Sequence, residues 1–103
     1  MPVIRMEPEH AVDAEVSESG VVLTIRGCLD QLAGEALVQA TAGLVGRTNR
    51  IEIDLCSLTG FTPDGACALA ACRDLCAGLV DGLHYKTGQG PGRDALLAAY
   101  ADC

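Results

Sequence analysis

The stretch that decides the fold is residues 51–65, which read IEIDLCSLTGFTPDG. In its first part Ile51, Ile53 and Leu55 are separated by single acidic residues. This period-two alternation predicts a strand with one buried face, because it covers too few residues for a helix. We expect this strand to end near Cys56.

The second part of the same stretch marks the start of a helix. We predict a loop from Ser57 to Asp64, and its last three residues are Thr62-Pro63-Asp64. Thr62 is a preferred N-cap residue, Pro63 suits the first helical position, and Asp64 is an acid in the first turn. Residues 66–79 contain no proline and carry an apolar stripe at helical spacing, formed by Leu69, Cys72, Cys76 and Leu79. We therefore predict a helix that starts at Thr62 and continues to about Leu79.

The chain upstream of this stretch predicts a hairpin and a helix. Residues 12–16 alternate apolar and polar side chains, and in residues 21–26 Val21, Leu23 and Ile25 share one face. The turn-rich segment SESG joins the two stretches, which is typical of an antiparallel pair of strands. In residues 32–45 the apolar side chains recur at helical spacing, which predicts a helix. Asp30 is a candidate N-cap of this helix, and Gly46 is expected to end it. The first ten residues show no periodicity and predict a loose arm.

The remaining segments complete an α/β domain. Residues 83–87 predict a fourth strand, and residues 93–100 a short last helix. A strand, a crossover helix and a further strand imply parallel neighbours, whereas the opening hairpin adds an antiparallel edge strand. We expect residues 11–103 to form one domain with a mixed, mostly parallel sheet of about four strands and helices packed on it.

Composition excludes several classes of function. The 103 residues carry 7 basic and 14 acidic side chains, and the net charge of −7 has the wrong sign for a surface that neutralises phosphates. No run approaches the roughly 20 apolar residues of a membrane span, and acidic residues occupy the place of a signal peptide's apolar stretch. We therefore expect no nucleic-acid partner, no direct membrane insertion and a cytoplasmic location.

Six cysteines are many for a chain of this length. None of their spacings is C-x-x-C, so we expect no structural zinc site. We also expect no cofactor, and without an export signal we expect reduced thiols. Cys72 and Cys76 lie on the apolar stripe and are predicted to be buried. Cys67 lies one turn from the start of the helix and Cys103 ends the sequence, so these two are the candidate redox residues, with Cys103 the more mobile and the first to react.

Two motifs are similar to those of STAS domains, the fold of bacterial anti-sigma factor antagonists. Residues 27–30, GCLD, resemble the family's G-E-L-D motif. Residues 51–55, then Leu58 and then residues 61–65, FTPDG, look like its buried strand and its D-S-S-G loop. The order and spacing of the motifs also match, and the resemblance covers residues 11 to about 102.

The resemblance has a consequence for regulation. In members that switch, the second serine of D-S-S-G is phosphorylated by a partner that is both a kinase and an anti-sigma factor, and the phosphate disrupts the complex. Here Thr62, Pro63 and Asp64 occupy the three positions before the retained Gly65. A carboxylate cannot accept the phosphate, so the usual switch is expected to be absent. Asp64 then either imitates the phosphorylated state in part or merely stabilises the first helical turn.

The function that the resemblance implies is protein binding without catalysis. The expected partner is an anti-sigma, kinase-like protein, and the expected contact residues are Asp30, Phe61, Thr62, Pro63, Asp64 and Gly65. Two alternatives stay open: an accessory STAS subunit of a transporter complex, and a cysteine-based redox sensor on the same fold. We also expect the family's last strand and helix to be missing, and a homodimer would cover the sheet edge that this leaves open.

Overall fold

Seven elements make up the computed structural model, which describes residues 12–103. In chain order they are β1 (Val12–Ser17), β2 (Gly20–Leu29), α1 (Gln31–Leu44), β3 (Arg50–Phe61), α2 (Pro63–Leu75), β4 (Gly82–Lys86) and α3 (Pro91–Asp102). The predicted order of strands and helices is confirmed. The predicted arm, residues 1–10, lies outside the described residues, and the domain limits 11–103 stay a prediction.

The four strands form one sheet in the order β1-β2-β3-β4. The β1–β2 pair is antiparallel, whereas β3 pairs in parallel with both β2 and β4. This arrangement confirms the predicted α/β class with a mixed, mostly parallel sheet and an antiparallel edge hairpin.

The core lies between one face of the sheet and the three helices. Leu23 and Ile25 of β2 and Ile53 and Leu55 of β3 are fully buried, while the residues between them are only partly buried. The fourth strand joins this core through Tyr85, whose hydroxyl donates to the Leu69 carbonyl of α2 at 2.8 Å. The helices therefore cover a single face, which is the reason for the alternating pattern in the sequence.

The third strand is longer than predicted. It continues past Cys56 to Phe61, so the expected loop over residues 57–64 is wrong over most of its length. Cys56 and Ser57 are both exposed, and Leu58 is the next buried residue. The pairing with β2 shifts register at the same point, between Thr24 and Arg26 of β2. The irregularity interrupts the period-two pattern, and for that reason the sequence suggested an early end.

Two further details differ from expectation. The second helix ends at Leu75 and not at Leu79, although Cys76 is still buried and Leu79 still packs against the core from the following turn. The first strand lies at the sheet edge, where Val16 is 77% exposed, so the buried face predicted for it is wrong apart from the partly buried Val12. An alternating pattern specifies which residues share a face but not whether a helix covers that face.

Candidate functional site

Two helices start side by side at the edge of the sheet that is formed by the carboxyl ends of β2 and β3. Leu29 and Phe61 are paired at the ends of the parallel strands β2 and β3, and each strand leads directly into a helix. The N-terminal ends of α1 and α2 therefore lie next to each other. Because each helix start presents free N–H groups and a partial positive charge, this edge is suited to acidic groups.

Side chains cap both helix starts. The Asp30 carboxylate accepts a hydrogen bond from the Ala33 N–H at 2.9 Å, and the Thr62 hydroxyl accepts one from the Gly65 N–H at 3.1 Å. The Thr62 N–H in turn donates to the Leu29 carbonyl at 3.0 Å and joins the two starts directly. Both N-caps predicted from the sequence are confirmed.

The cap of α2 gives a first testable prediction. Thr62→Ala leaves the Gly65 N–H without its side-chain acceptor, and we expect the free energy of unfolding to fall by about 1 kcal/mol in urea denaturation. Thr62→Ser keeps the hydroxyl and should remain close to the wild type. Equal losses in both variants would mean that the threonine methyl group, and not the cap, stabilises this turn.

Glycines allow the two helices to approach closely. A Cβ atom at Gly65 would overlap the Leu29 carbonyl group and lie 2.9 Å from the Asp30 carbonyl oxygen. A Cβ atom at Gly34 would come within 2.9 Å of the Ala68 methyl carbon. The backbone of α2 therefore rests directly on the junction between β2 and α1. The sequence predicts Gly65 only as part of a motif and gives no sign of Gly34, because helix contacts of this kind leave no periodic signal.

A groove of about 500 Å³ runs between α1 and α2 from this edge. The residues that line it are Gln31, Gly34, Glu35, Val38, Gln39, Asp64, Cys67, Ala68 and Ala71. Asp64 is exposed at its end, in the first turn of α2. The Asp64 side chain is thus accessible from solvent at this end of the groove.

Phe61 and Pro63 face a second, smaller pocket on the other side of the α2 start. It has a volume of about 230 Å³ and is completed by Ala66, Cys67, Ala98, Asp102 and Cys103. Cys67 therefore borders both the groove and this pocket. The end of α3 forms the outer wall of the pocket.

The structure joins Cys67 and Cys103 in a disulfide, with Cα atoms 5.6 Å apart. This corrects the expectation of reduced thiols for these two residues, and of a mobile Cys103, whereas the other four cysteines are free. The two residues are separated by 36 positions in the sequence, and only the packing of α3 beside α2 brings them together. No local pattern reports such a contact.

The other cysteines divide into two classes. Cys28 and Cys56 are exposed free thiols, whereas Cys72 and Cys76 are buried, as predicted. Burial raises the pKa of Cys72 to about 11, although a hydrogen bond with Thr41 opposes the shift. Burial also raises the pKa of Cys76, and a hydrogen bond with Asp54 raises that of Cys56. Cys72 and Cys76 are therefore poor nucleophiles at neutral pH.

The third helix is held against the rest of the molecule by aromatic contacts. The rings of Tyr85 and Tyr100 meet edge to face with centroids 6.3 Å apart, and the Arg73 guanidinium lies 4.8 Å from the Tyr100 centroid. Burial raises the pKa of the Tyr85 hydroxyl far above its usual value, with Tyr100 as a secondary cause. These contacts fix the body of α3 independently of the disulfide.

The predicted contact residues are thus brought together. Asp30 and residues 61–65 lie at the carboxyl ends of β2 and β3, and Cys67 lies one turn further along α2. Within residues 12–103 no group of three His, Cys, Asp or Glu side chains could hold a metal ion. In the same residues no helix is long and apolar enough to cross a membrane.

No family model matches the sequence, and no curated protein sequence matches it either. Solved structures do match the fold. The anti-sigma factor antagonist SpoIIAA, in its unphosphorylated form, superposes with a TM-score of 0.69 at 17% identity, over 84% of this chain and 82% of that one. Mglu matches with a TM-score of 0.72 at 15% identity over 81% of this chain. The native form of Mglu in 4.3 M NaCl matches with a TM-score of 0.64 at 14% identity over 78% of this chain.

The matches differ in how much of each neighbour they cover. This chain spans only 21% and 27% of the two Mglu chains, so there the similarity concerns a part of a longer protein. SpoIIAA is matched over most of its own length. Together with the four-stranded sheet and the paired helix starts, the comparison identifies the fold of this chain as STAS-like.

Proposed function

We propose that this chain is a non-enzymatic regulatory module that works as an anti-sigma factor antagonist or a close relative of one, and binds a kinase-like anti-sigma partner. The observation that carries the proposal is the exposed Asp64 at the paired helix starts of a STAS-like fold. The docking surface consists of Asp30, residues 61–65 and the adjoining groove between α1 and α2.

The position of Asp64 supports a regulatory role for its charge. The first turn of a helix favours an anion, and the side chain is exposed, so its charge acts on whatever surface docks there. Its charge of about −1 compares with about −1.5 to −2 for a phosphoserine. Asp64 therefore acts as a fixed, partial imitation of the phosphorylated state and lowers partner affinity by a constant amount.

The experiment replaces Asp64 with serine and measures partner binding by calorimetry. The partner is a purified anti-sigma factor serine kinase from the same organism. We expect Asp64→Ser to bind about two- to fivefold more tightly than the wild type, because one solvent-exposed charge interaction is typically worth up to about 1 kcal/mol. With ATP, mass spectrometry should find phosphate at position 64 of the variant and on no residue of the wild type.

The matched control is Asp74→Ser, which removes an exposed acid from the other end of the same helix. It should leave affinity unchanged. Absence of binding in the wild type and in Asp64→Ser would refute the partner assignment. A stoichiometric phosphate on Thr62 or Thr59 of the wild type would show that the acceptor has moved within the loop and that the switch is retained.

A further inference from the structure

We propose that Cys67 and Cys103 are a reversible redox pair, and that their disulfide clamps the last turn of α3 over the Phe61 side of the docking surface. The pair would exchange with low-molecular-weight thiols and disulfides such as glutathione. Its chemistry needs no partner protein, whereas its effect on docking rests on the proposed function.

The two cysteines differ in how firmly they are held. Cys67 is partly buried between the buried Ala66 and Ala68, within a helix packed on the core. Cys103 is exposed, and its backbone N–H donates a hydrogen bond to the Ala99 carbonyl at 3.1 Å. Opening the disulfide therefore releases the end of α3 and leaves Cys67 in place.

The last turn of α3 is poorly stabilised apart from the disulfide. Asp102 lies at the negative end of the helix dipole, and no basic residue in that turn compensates it. Ala101, Asp102 and Cys103 are all exposed. Ala95 and Ala99 are buried, and Tyr100 is held by Tyr85, so fraying should stop at about residue 100.

Fraying of this turn would change the surface next to Asp64. The pocket of about 230 Å³ lies between Phe61, Pro63 and Ala66 on one side and Ala98, Asp102 and Cys103 on the other. When residues 101–103 leave, Phe61 and Ala66 gain access to solvent. Reduction thus exposes apolar surface on the Phe61 side of the docking surface, and oxidation covers it.

The exchange balances with glutathione disulfide as the oxidant. One cysteine thiolate attacks a sulfur of glutathione disulfide, forms a mixed disulfide and releases one glutathione. The second cysteine attacks the protein sulfur of that mixed disulfide and releases the other glutathione. Two electrons pass from the protein to glutathione, and the two thiol protons end on the two glutathione molecules.

The first test uses the protein alone in a series of buffers that differ in the ratio of glutathione to glutathione disulfide. After an acid quench and alkylation, mass spectrometry should find a single two-electron transition confined to Cys67 and Cys103. Cys72 and Cys76 should carry label only after unfolding. The proposal is overturned if no ratio closes the pair, if stable glutathione adducts accumulate in its place, or if a different pair closes.

The second test measures amide hydrogen exchange along α3 in both forms. Reduction should speed exchange at residues 101–103 by about tenfold or more, with little change at Ala95 and Ala99. Equal rates in both forms would overturn the clamp. The variant Cys28→Ser/Cys56→Ser lacks the exposed thiols and should keep the response, whereas Cys67→Ser/Cys103→Ser should exchange like the reduced protein under all conditions.

Both tests are independent of any partner, so their failure is distinguishable from failure of the proposed function. With the anti-sigma kinase, the reduced protein should bind more tightly than the oxidised protein, and Cys67→Ser/Cys103→Ser should bind like the reduced protein. Equal affinities of the two redox forms would refute a role of the pair in docking.

Discussion

Gly65→Ala is expected to lower the free energy of unfolding by about 3 kcal/mol, the upper part of the range for overpacking in a tightly packed site. The added methyl group would overlap the Leu29 carbonyl group and crowd that of Asp30, and neither backbone can move without shifting the junction between β2 and α1. For a chain of this size, whose total stability is about 5 to 15 kcal/mol, this is a large loss. Urea denaturation followed by circular dichroism measures it.

The matched control for this substitution is Gly43→Ala. Gly43 lies inside α1, and a Cβ atom there would meet nothing within 4 Å. Alanine should therefore stabilise the protein there by up to about 1 kcal/mol through helix propensity. If both variants change stability alike, α2 does not rest on the β2–α1 junction as described.

Reduction of the Cys67–Cys103 disulfide is expected to cost about 3 to 4 kcal/mol of unfolding free energy. The bridge closes a loop of 36 sequence positions, and a loop of that length removes a corresponding amount of entropy from the unfolded chain. The measurement is denaturant unfolding of the wild type with and without a phosphine reductant.

The variant Cys67→Ser/Cys103→Ser should have the stability of the reduced wild type and no sensitivity to the reductant. Cys28→Ser/Cys56→Ser, which removes only the exposed thiols, should keep the full sensitivity. An unfolding midpoint that is the same in both redox states of the wild type would contradict the stabilisation assigned to the bridge.

Local chemistry determined the parts of the fold that the sequence predicted well. The Asp30 and Thr62 caps were predictable because a cap depends on a few consecutive residues. The core strands were predictable because Leu23 and Ile53 each belong to a set of apolar residues at every second position. The extension of β3 to Phe61 was not, because its irregular pairing with β2 breaks the pattern that identifies a strand.

The candidate site was predictable in part for the same reason. Residues 61–65 form a continuous motif, and the parallel pairing of β2 with β3 brings Asp30 beside it. The contact of Gly34 with Ala68 and the bridge from Cys67 to Cys103 depend on how three helices pack, and no short stretch of sequence encodes that packing. Contacts between small residues also lack the apolar periodicity by which buried faces are identified.

The edge-to-face pair of Tyr85 and Tyr100 makes the protein its own optical reporter. The chain contains no tryptophan and only these two tyrosines, so its ultraviolet emission arises almost entirely from the place where α3 meets β4. The Arg73 guanidinium, 4.8 Å from the Tyr100 centroid, belongs to the same contact region. A change in the packing of α3 against β4 therefore alters tyrosine fluorescence and near-ultraviolet circular dichroism. Titrations that move α3 can be followed by these signals without an attached dye.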